Sequence, residues 1–398
     1  MTKLSLTSTL HLIVLIFLCT PSYSLIFKVS GIYVQNEKIA FIICSLLLLH
    51  KEIFRIPKSL IRLTSATLFI STSLLTLLVL RYYLSGITPS IINFNYMISF
   101  VEVLVFCIFF LRHGLSQFLR SLVPVIYLQL ACATIQVLSI ISGNLNITTV
   151  FSNHYAKTEY EIPLSFISLP RPFGLFNEAS ELSAFLAICT IFLYVLRYSK
   201  VDKYYLPSKV LSLTIIMCFA GIIFTFSLTG FLMLSAGFLF IAISKSLDKR
   251  FIFKINIGSL STFLAVLFST VYLYEPLTKL LFSSFATSAR SSLTYANLNE
   301  IFYNYEDLKL LLGSSAVWDN ATWDILTRTI QVYGVIGFSI VSIYLLIVAT
   351  PFNIFSLIYL AFLLSNASPA SSVFIFTSTT IVLVPLWLKS ITKSKISY

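Results

Sequence analysis

Apolar residues in this chain come in long blocks, not in short amphipathic stripes. Continuous runs stand near 4–22, 36–50, 63–82, 96–111, 121–141, 177–197, 209–227, 230–244, 254–274, 330–349, 352–367 and 372–388. A helix needs about 20 apolar residues to cross hydrocarbon, so the pattern predicts an all-α polytopic transmembrane bundle of about 12 spans. A membrane β-barrel would instead alternate apolar and polar residues over short segments. The run at 36–50 is the weakest, because Lys38 and His50 close off its apolar core; both are expected to snorkel toward water. The first run also reads as a signal peptide, with Lys3 before it and Ser22-Tyr23-Ser24 behind it. The later spans are the same either way.

Composition agrees. The 398 residues are 58% hydrophobic and 11% charged, against about 25% charged in soluble domains, and the mean hydropathy is +0.93. The net charge of +12 does not point to nucleic acid once its placement is read. Basic clusters at Lys51, Arg55, Lys58 and Arg62, at Arg197, Lys200, Lys203 and Lys209, and at Lys245, Lys249, Arg250 and Lys254 all fall on one side of the predicted bundle, with Lys3 and Lys389. Only Glu52, Asp202 and Asp248 join them among the acids. The positive-inside rule makes that side cytoplasmic, with both termini there. Lys38, Arg81, Arg171, Arg290 and Arg328 belong to the sparser outer set.

Several chemistries are not expected. The six cysteines lie inside apolar runs without a CxxC pair, and the four histidines are scattered, so neither a disulfide framework nor a metal site is predicted. There is no G-x-x-x-x-G-K-[ST] or G-x-G-x-x-G run, so no nucleotide or other cofactor is expected. The chain reads as a single integral membrane domain, 1–398, without internal repeats. Two connections are long, 142–176 and 275–329, and both fall on the outer face; long loops in compact domains tend to carry function.

The first long loop ends in "LPRPFGLFNEASELSAFLAICTIFLYVL". Arg171 stands between Pro170 and Pro172, whose rings restrict the backbone to extended geometry, so a guanidinium suited to gripping phosphate oxygens in pairs sits on a stiff stalk. Glu178 and Glu181 share one face at a helix start. They offset the helix dipole there, each for about 0.3–1 kcal/mol, with Asn177 as a cap. A carboxylate partly desolvated near lipid would also suit a general base.

In the second loop, Leu298, Ile301, Phe302, Tyr305, Leu308, Leu311 and Leu312 recur at spacings of three and four. That predicts an amphipathic helix ending at Gly313 as its C′ residue, either roofing a cavity or simply packing at the interface. Arg290 precedes it, a second cation on the side of Arg171. Trp318 and Trp323 suit an interfacial belt or stacking on sugar rings. Gly334 and Gly337 permit close approach at the start of the next span. Glu102 lies within a span and is expected to bond a neighbouring hydroxyl; a cation site there would instead suit a transporter.

These residues resemble a known family. Arg171-x-x-Gly174, followed by Phe176, Glu178, Ser180 and a long apolar span, is similar to the R-x-x-G-x-x-x-E-P-S-type segment of O-antigen polymerases. Ser227-x-x-Gly230 is similar to the small turn between spans seen there. Arg290 in a large loop that closes on Tyr333-Gly334-x-x-Gly337 matches as well. The likeness to the O-antigen polymerase and ligase superfamily covers topology throughout and sequence over roughly 165–340. It implies a GT-C-like fold in the bacterial inner membrane and a metal-independent glycosyltransferase that joins undecaprenyl-diphosphate-linked oligosaccharide repeat units on the periplasmic face. Membrane lipid and a chain-length regulator protein are the further partners it implies. Arg171 and Arg290 would hold the leaving diphosphate, with Gly174, Glu181 and Trp323 also at the substrate, and Glu178 would deprotonate the acceptor hydroxyl. The chain departs from the pattern in three places. Ala179 stands where relatives often carry proline. Trp323-Asp324 occupies the slot of the ligases' histidine, which argues against a histidine-dependent ligase and leaves Asp324 as a second candidate base. No R-x(10)-G spacing follows Arg171 or Arg290. A ligase and a lipid-linked oligosaccharide flippase are the alternatives.

Overall fold

The structure is a computed structural model. It describes residues 6–20, 28–29, 32–33, 36–50, 56–142, 161–163, 168–170, 172–176, 178–198, 206–225, 227–243, 307–314, 325–350, 354–365 and 371–396. The helices are α1 (Leu6–Leu18), α2 (Asn36–His50), α3 (Ile61–Ser85), α4 (Ile91–Ile141), α5 (Ala179–Tyr198), α6 (Ser208–Thr225), α7 (Leu228–Ile243), α8 (Asp307–Leu312), α9 (Ile325–Ala349), α10 (Ile354–Ser365) and α11 (Ser372–Ile396). Two short antiparallel ladders accompany them: β1 (Lys28–Val29) with β2 (Ile32–Tyr33), and β3 (Glu161–Pro163) with β4 (Ser168–Pro170). Helices occupy every apolar run of the sequence except 254–274, which lies outside the described residues.

Among the described residues, six helices are long and apolar enough to cross a membrane: Lys58–Ser85, Asn93–Ser139, Ala179–Arg197, Ser208–Thr225, Arg328–Ala349 and Ser372–Lys389. Their outward faces have transmembrane character. Leu68, Phe69, Leu75, Val79 and Leu80 on α3, and Leu213, Ile216, Phe219, Ile223 and Phe224 on α6, are exposed. Such continuous apolar surface needs lipid as its solvent.

α4 holds two of the predicted runs, and no loop separates them. Its hydrogen-bonded path is broken at Gly114, with φ 81° and ψ 167°. Nothing would touch a Cβ there, so the backbone angle, not space, requires glycine. The rings of Phe110 and Phe118 lie 5.0 Å apart, whereas eight residues of straight helix rise about 12 Å. The arms, 91–113 and 115–141, therefore fold back on each other. α1 lies along both: His11 stacks on Phe109 of the first arm, and the Cys19 carbonyl accepts from Gln129 of the second.

α5 is the central helix. Every residue from Ala179 to Leu193 is buried, and α6, α7 and α11 pack around it. Its polar side chains turn inward on its own backbone: Ser183 Oγ donates to the Ser180 carbonyl at 2.9 Å and Thr190 Oγ1 to that of Leu186 at 2.7 Å. A helix apolar all round belongs in the middle of a bundle.

Two expectations about charge are corrected. Glu102 is fully buried and accepts from Lys38 Nζ at 2.8 Å, not from a hydroxyl. Lys38 therefore turns into the bundle and does not snorkel. Arg81, too, is fully buried.

Candidate functional site at the entrance to the central helix

The chain approaches α5 through β4, extended as the flanking prolines dictate and paired Glu161 to Pro170, Ile162 to Leu169 and Pro163 to Ser168. Residues 172–176 then form a buried turn at the bundle's edge. Phe176 N–H donates to the Phe173 carbonyl at 3.0 Å, and Gly174 takes φ +59°. A Cβ on Gly174 would stand 2.6 Å from Gln129 Oε1 and 3.2 Å from the Gln129 carbonyl oxygen. Glycine is needed here twice over, for its angle and for its lack of volume.

Non-helical backbone at this depth must find partners inside the protein. Two glutamines of the second α4 arm supply them. Gln136 Oε1 accepts from the N–H groups of Phe173 at 3.0 Å and Gly174 at 2.9 Å, while its Nε2 donates to the Gly174 carbonyl at 2.8 Å. Gln129 Oε1 accepts from Leu175 N–H at 2.8 Å, and its Nε2 donates to the Cys19 carbonyl at the end of α1. The two lie seven residues apart, which is two helical turns and hence one face. Both are fully buried. A primary amide carries a donor and an acceptor together, so each can pin a turn without bringing charge into the core.

The turn delivers Glu178 to the head of α5. Its carbonyl accepts from Glu181 N–H at 3.1 Å and Leu182 N–H at 3.2 Å, and its Oε2 accepts from Ser180 Oγ at 3.0 Å. Glu178 is half-buried and Glu181 only 9% exposed. Ser227, at the turn into α7, is buried, and a Cβ on Gly230 would meet Ser183 Cβ at 2.8 Å. The S-x-x-G thus sets α7 tightly against the first turns of α5. Beside the entrance runs an apolar groove of about 160 Å³, lined by Pro172 and Leu182 together with Leu130, Met217, Gly221 and Phe224.

A second non-helical junction lies where α8 meets α9. α8 ends as the sequence predicts: Gly313 takes φ +82°, and its N–H donates to the Lys309 carbonyl at 2.8 Å. Ser314 N–H donates to the Gln331 carbonyl at 3.0 Å. α9 breaks at Gly334, with φ 70°, where a Cβ would stand 2.2 Å from the Leu311 carbonyl oxygen. Beneath the break, Arg81 Nη1 donates to the Val332 carbonyl at 3.0 Å and Nη2 to Asn93 Oδ1 at 3.2 Å, while Tyr333 O–H donates to the Asn93 carbonyl. Gly334 does allow close approach, but of the α8 terminus, not of another span.

The structure thus gathers Gly174, Glu178 and Glu181 at one entrance. Arg171, Arg290, Trp323 and Asp324, like Asn177 and most of the predicted amphipathic helix, lie outside the described residues. Gln129, Gln136, Arg81 and Asn93 were not singled out from the sequence. The signal for the glutamines was present: two amides seven apart within an apolar run, where polar side chains are rare. Among the described residues no group of three metal-ligating side chains occurs. Compared with protein-family models, with curated proteins and with solved structures, the chain matches none.

Proposed function

We propose that the chain is an inner-membrane glycosyltransferase of about 12 spans with cytoplasmic termini. It polymerises oligosaccharide repeat units carried on undecaprenyl diphosphate, at the periplasmic face. The acceptor is the terminal sugar hydroxyl of a new carrier-linked unit. Glu178 takes its proton, the oxygen attacks the anomeric carbon of the growing glycan, and the bond to the carrier diphosphate breaks. Arg171 and Arg290 take the charge that develops on that leaving group. Gly174, Glu181 and Trp323 shape the substrate site, and Asp324 is the second candidate base.

One observation carries the reading. The Gln129–Gln136 pair fixes the turn at 172–176 so that a half-buried carboxylate, Glu178, heads the central helix next to an apolar groove lined by Pro172 and Leu182. A lipid-linked sugar needs that neighbourhood: a greasy channel for the polyprenyl chain and a polar rim for its head.

A second reading, a lipid-linked oligosaccharide flippase, draws on the buried Lys38–Glu102 pair, because ionisable residues inside a bundle mark transport pathways. One experiment separates the two. In cells lacking the native gene, Arg171→Ala and Arg290→Ala should each collapse the glycan ladder to single repeat units that still reach the surface. Full-length ladders from both variants would remove the arginines from the site. Units stranded on the cytoplasmic side would favour the flippase.

A further inference from the structure

The described part of the bundle encloses a second, larger hollow away from the entrance to α5. It measures about 970 Å³ and lies between α3, the Gly114 elbow of α4, the end of α9, the start of α10 and α11. Among the described residues three cations line it: Lys58 just before α3, Arg62 in its first turn, and Lys389 on α11. Lys58 opens the 3₁₀ turn that leads into α3. Lys389 reaches the same hollow from the other end of the sequence. Among the described residues no acidic side chain lines the cavity. Ser59 adds a hydroxyl. The carbonyl of Ala349 at the end of α9, which would repel an anion, already accepts from Ser356 Oγ at 2.5 Å. The remaining wall is apolar, including Leu63, Leu115, Ile347 and Val382.

We infer that this cavity is a binding site for an anionic phospholipid from the leaflet at the basic end of the bundle. The phosphate sits among Lys58, Arg62 and Lys389, and an acyl chain lies along Leu63, Leu115, Ile347 and Val382. Two features argue for a lipid over a free anion. A soluble phosphate would leave the apolar wall uncovered, and the cavity belongs to a bundle whose solvent is lipid. General surface charge does not explain the arrangement either. Arg197 and Lys209 are exposed basic residues too, yet they do not line the cavity.

The test is native mass spectrometry of the full-length protein in neutral detergent, with phosphatidylglycerol or phosphatidylcholine added. Retained phosphatidylglycerol should exceed phosphatidylcholine by about 10-fold or more, since each nearby Lys or Arg contributes substantially to holding an anionic headgroup. The Lys58→Gln/Arg62→Gln/Lys389→Gln variant should lose that preference, while Arg197→Gln/Lys209→Gln keeps it. Val382→Trp, which fills the greasy wall and leaves every charge in place, should also release the lipid. Equal retention of the two lipids, or an unchanged triple variant, would overturn the inference. So would an equal loss in the control variant, which would reduce the effect to general surface charge. Displacement of phosphatidylglycerol by millimolar inorganic phosphate would reassign the site to a soluble anion and overturn the lipid.

Discussion

Among the described residues, two buried junctions where the chain leaves the helix satisfy the freed backbone in different ways. At 172–176 two neutral amides hold the turn, and charged side chains follow it only at the head of α5. At the α8–α9 junction two glycines let backbone meet backbone, and a fully buried arginine takes up the carbonyl of Val332. The contrast separates scaffolding from chemistry. Arg81 is committed to protein acceptors and has become part of the fold. At the first junction Gln129 and Gln136 do the holding, so Glu178 remains half-buried at the surface of the bundle. On the proposed function, the support and the reacting carboxylate are then different side chains.

Removing the guanidinium tests the larger half of this comparison. Arg81→Met leaves the Val332 carbonyl and Asn93 Oδ1 without their charged donor, and the protein should lose about 2–3 kcal/mol of stability, read by denaturant titration in detergent. Arg81→Lys should recover only part, because a point-like ammonium cannot bridge two separate acceptors as the planar fork does. Native stability in Arg81→Met would mean that the glycines alone hold the bend of α9.

Gln136 tests the other half. Gln136→Leu removes three hydrogen bonds from Phe173 and Gly174, and Gln129→Leu removes two, one of them to the end of α1. The expected losses are about 1–2 kcal/mol, with Gln136→Leu the larger. On the proposed polymerase function, Gln136→Leu should shorten the surface glycan more than Arg81→Lys does at matched amounts of folded protein, because it loosens the approach to Glu178. Equal glycan lengths in the two variants would erase the distinction between support and site.

Much of the fold was legible because transmembrane helices announce themselves locally: a block of apolar residues is sufficient. The cap at Gly313 was legible for the same reason, since a helix end followed by glycine is a local event. What escaped depends on partners far along the chain. Arg81 at the end of a span reads only as one of the outer-side cations until α9, 251 positions later, presents the Val332 carbonyl. Glu102 finds Lys38 across 64 positions. Gly114 falls in the gap between the runs at 96–111 and 121–141; that this one glycine makes the reversal shows only in the packing of Phe110 on Phe118. At the entrance to α5, R-x-x-G flagged the right segment. The role of Gly174 became clear only when Gln129 and Gln136 arrived from another helix.

The smallest effect is the coupling between Gly174 and Gln129, and the elbow at Gly114 shows what backbone angle costs without it. Gly114 and Gly174 both hold positive φ, 81° and 59°, but a Cβ at Gly114 would meet nothing within 4 Å, whereas at Gly174 it would stand 2.6 Å from Gln129 Oε1. Gly114→Ala should therefore cost only a backbone penalty, about 1–3 kcal/mol, because φ 81° with ψ 167° is almost closed to residues with a Cβ. Gly174→Ala should cost a positive-φ penalty of its own plus the displacement of Gln129 from Leu175 N–H. Measured by the same denaturant titration, Gly174→Ala should cost less in a Gln129→Leu background, because that bond is then already gone. If the cost is the same in both backgrounds, the crowding at Gly174 comes from the Gln129 carbonyl oxygen at 3.2 Å and not from its side chain.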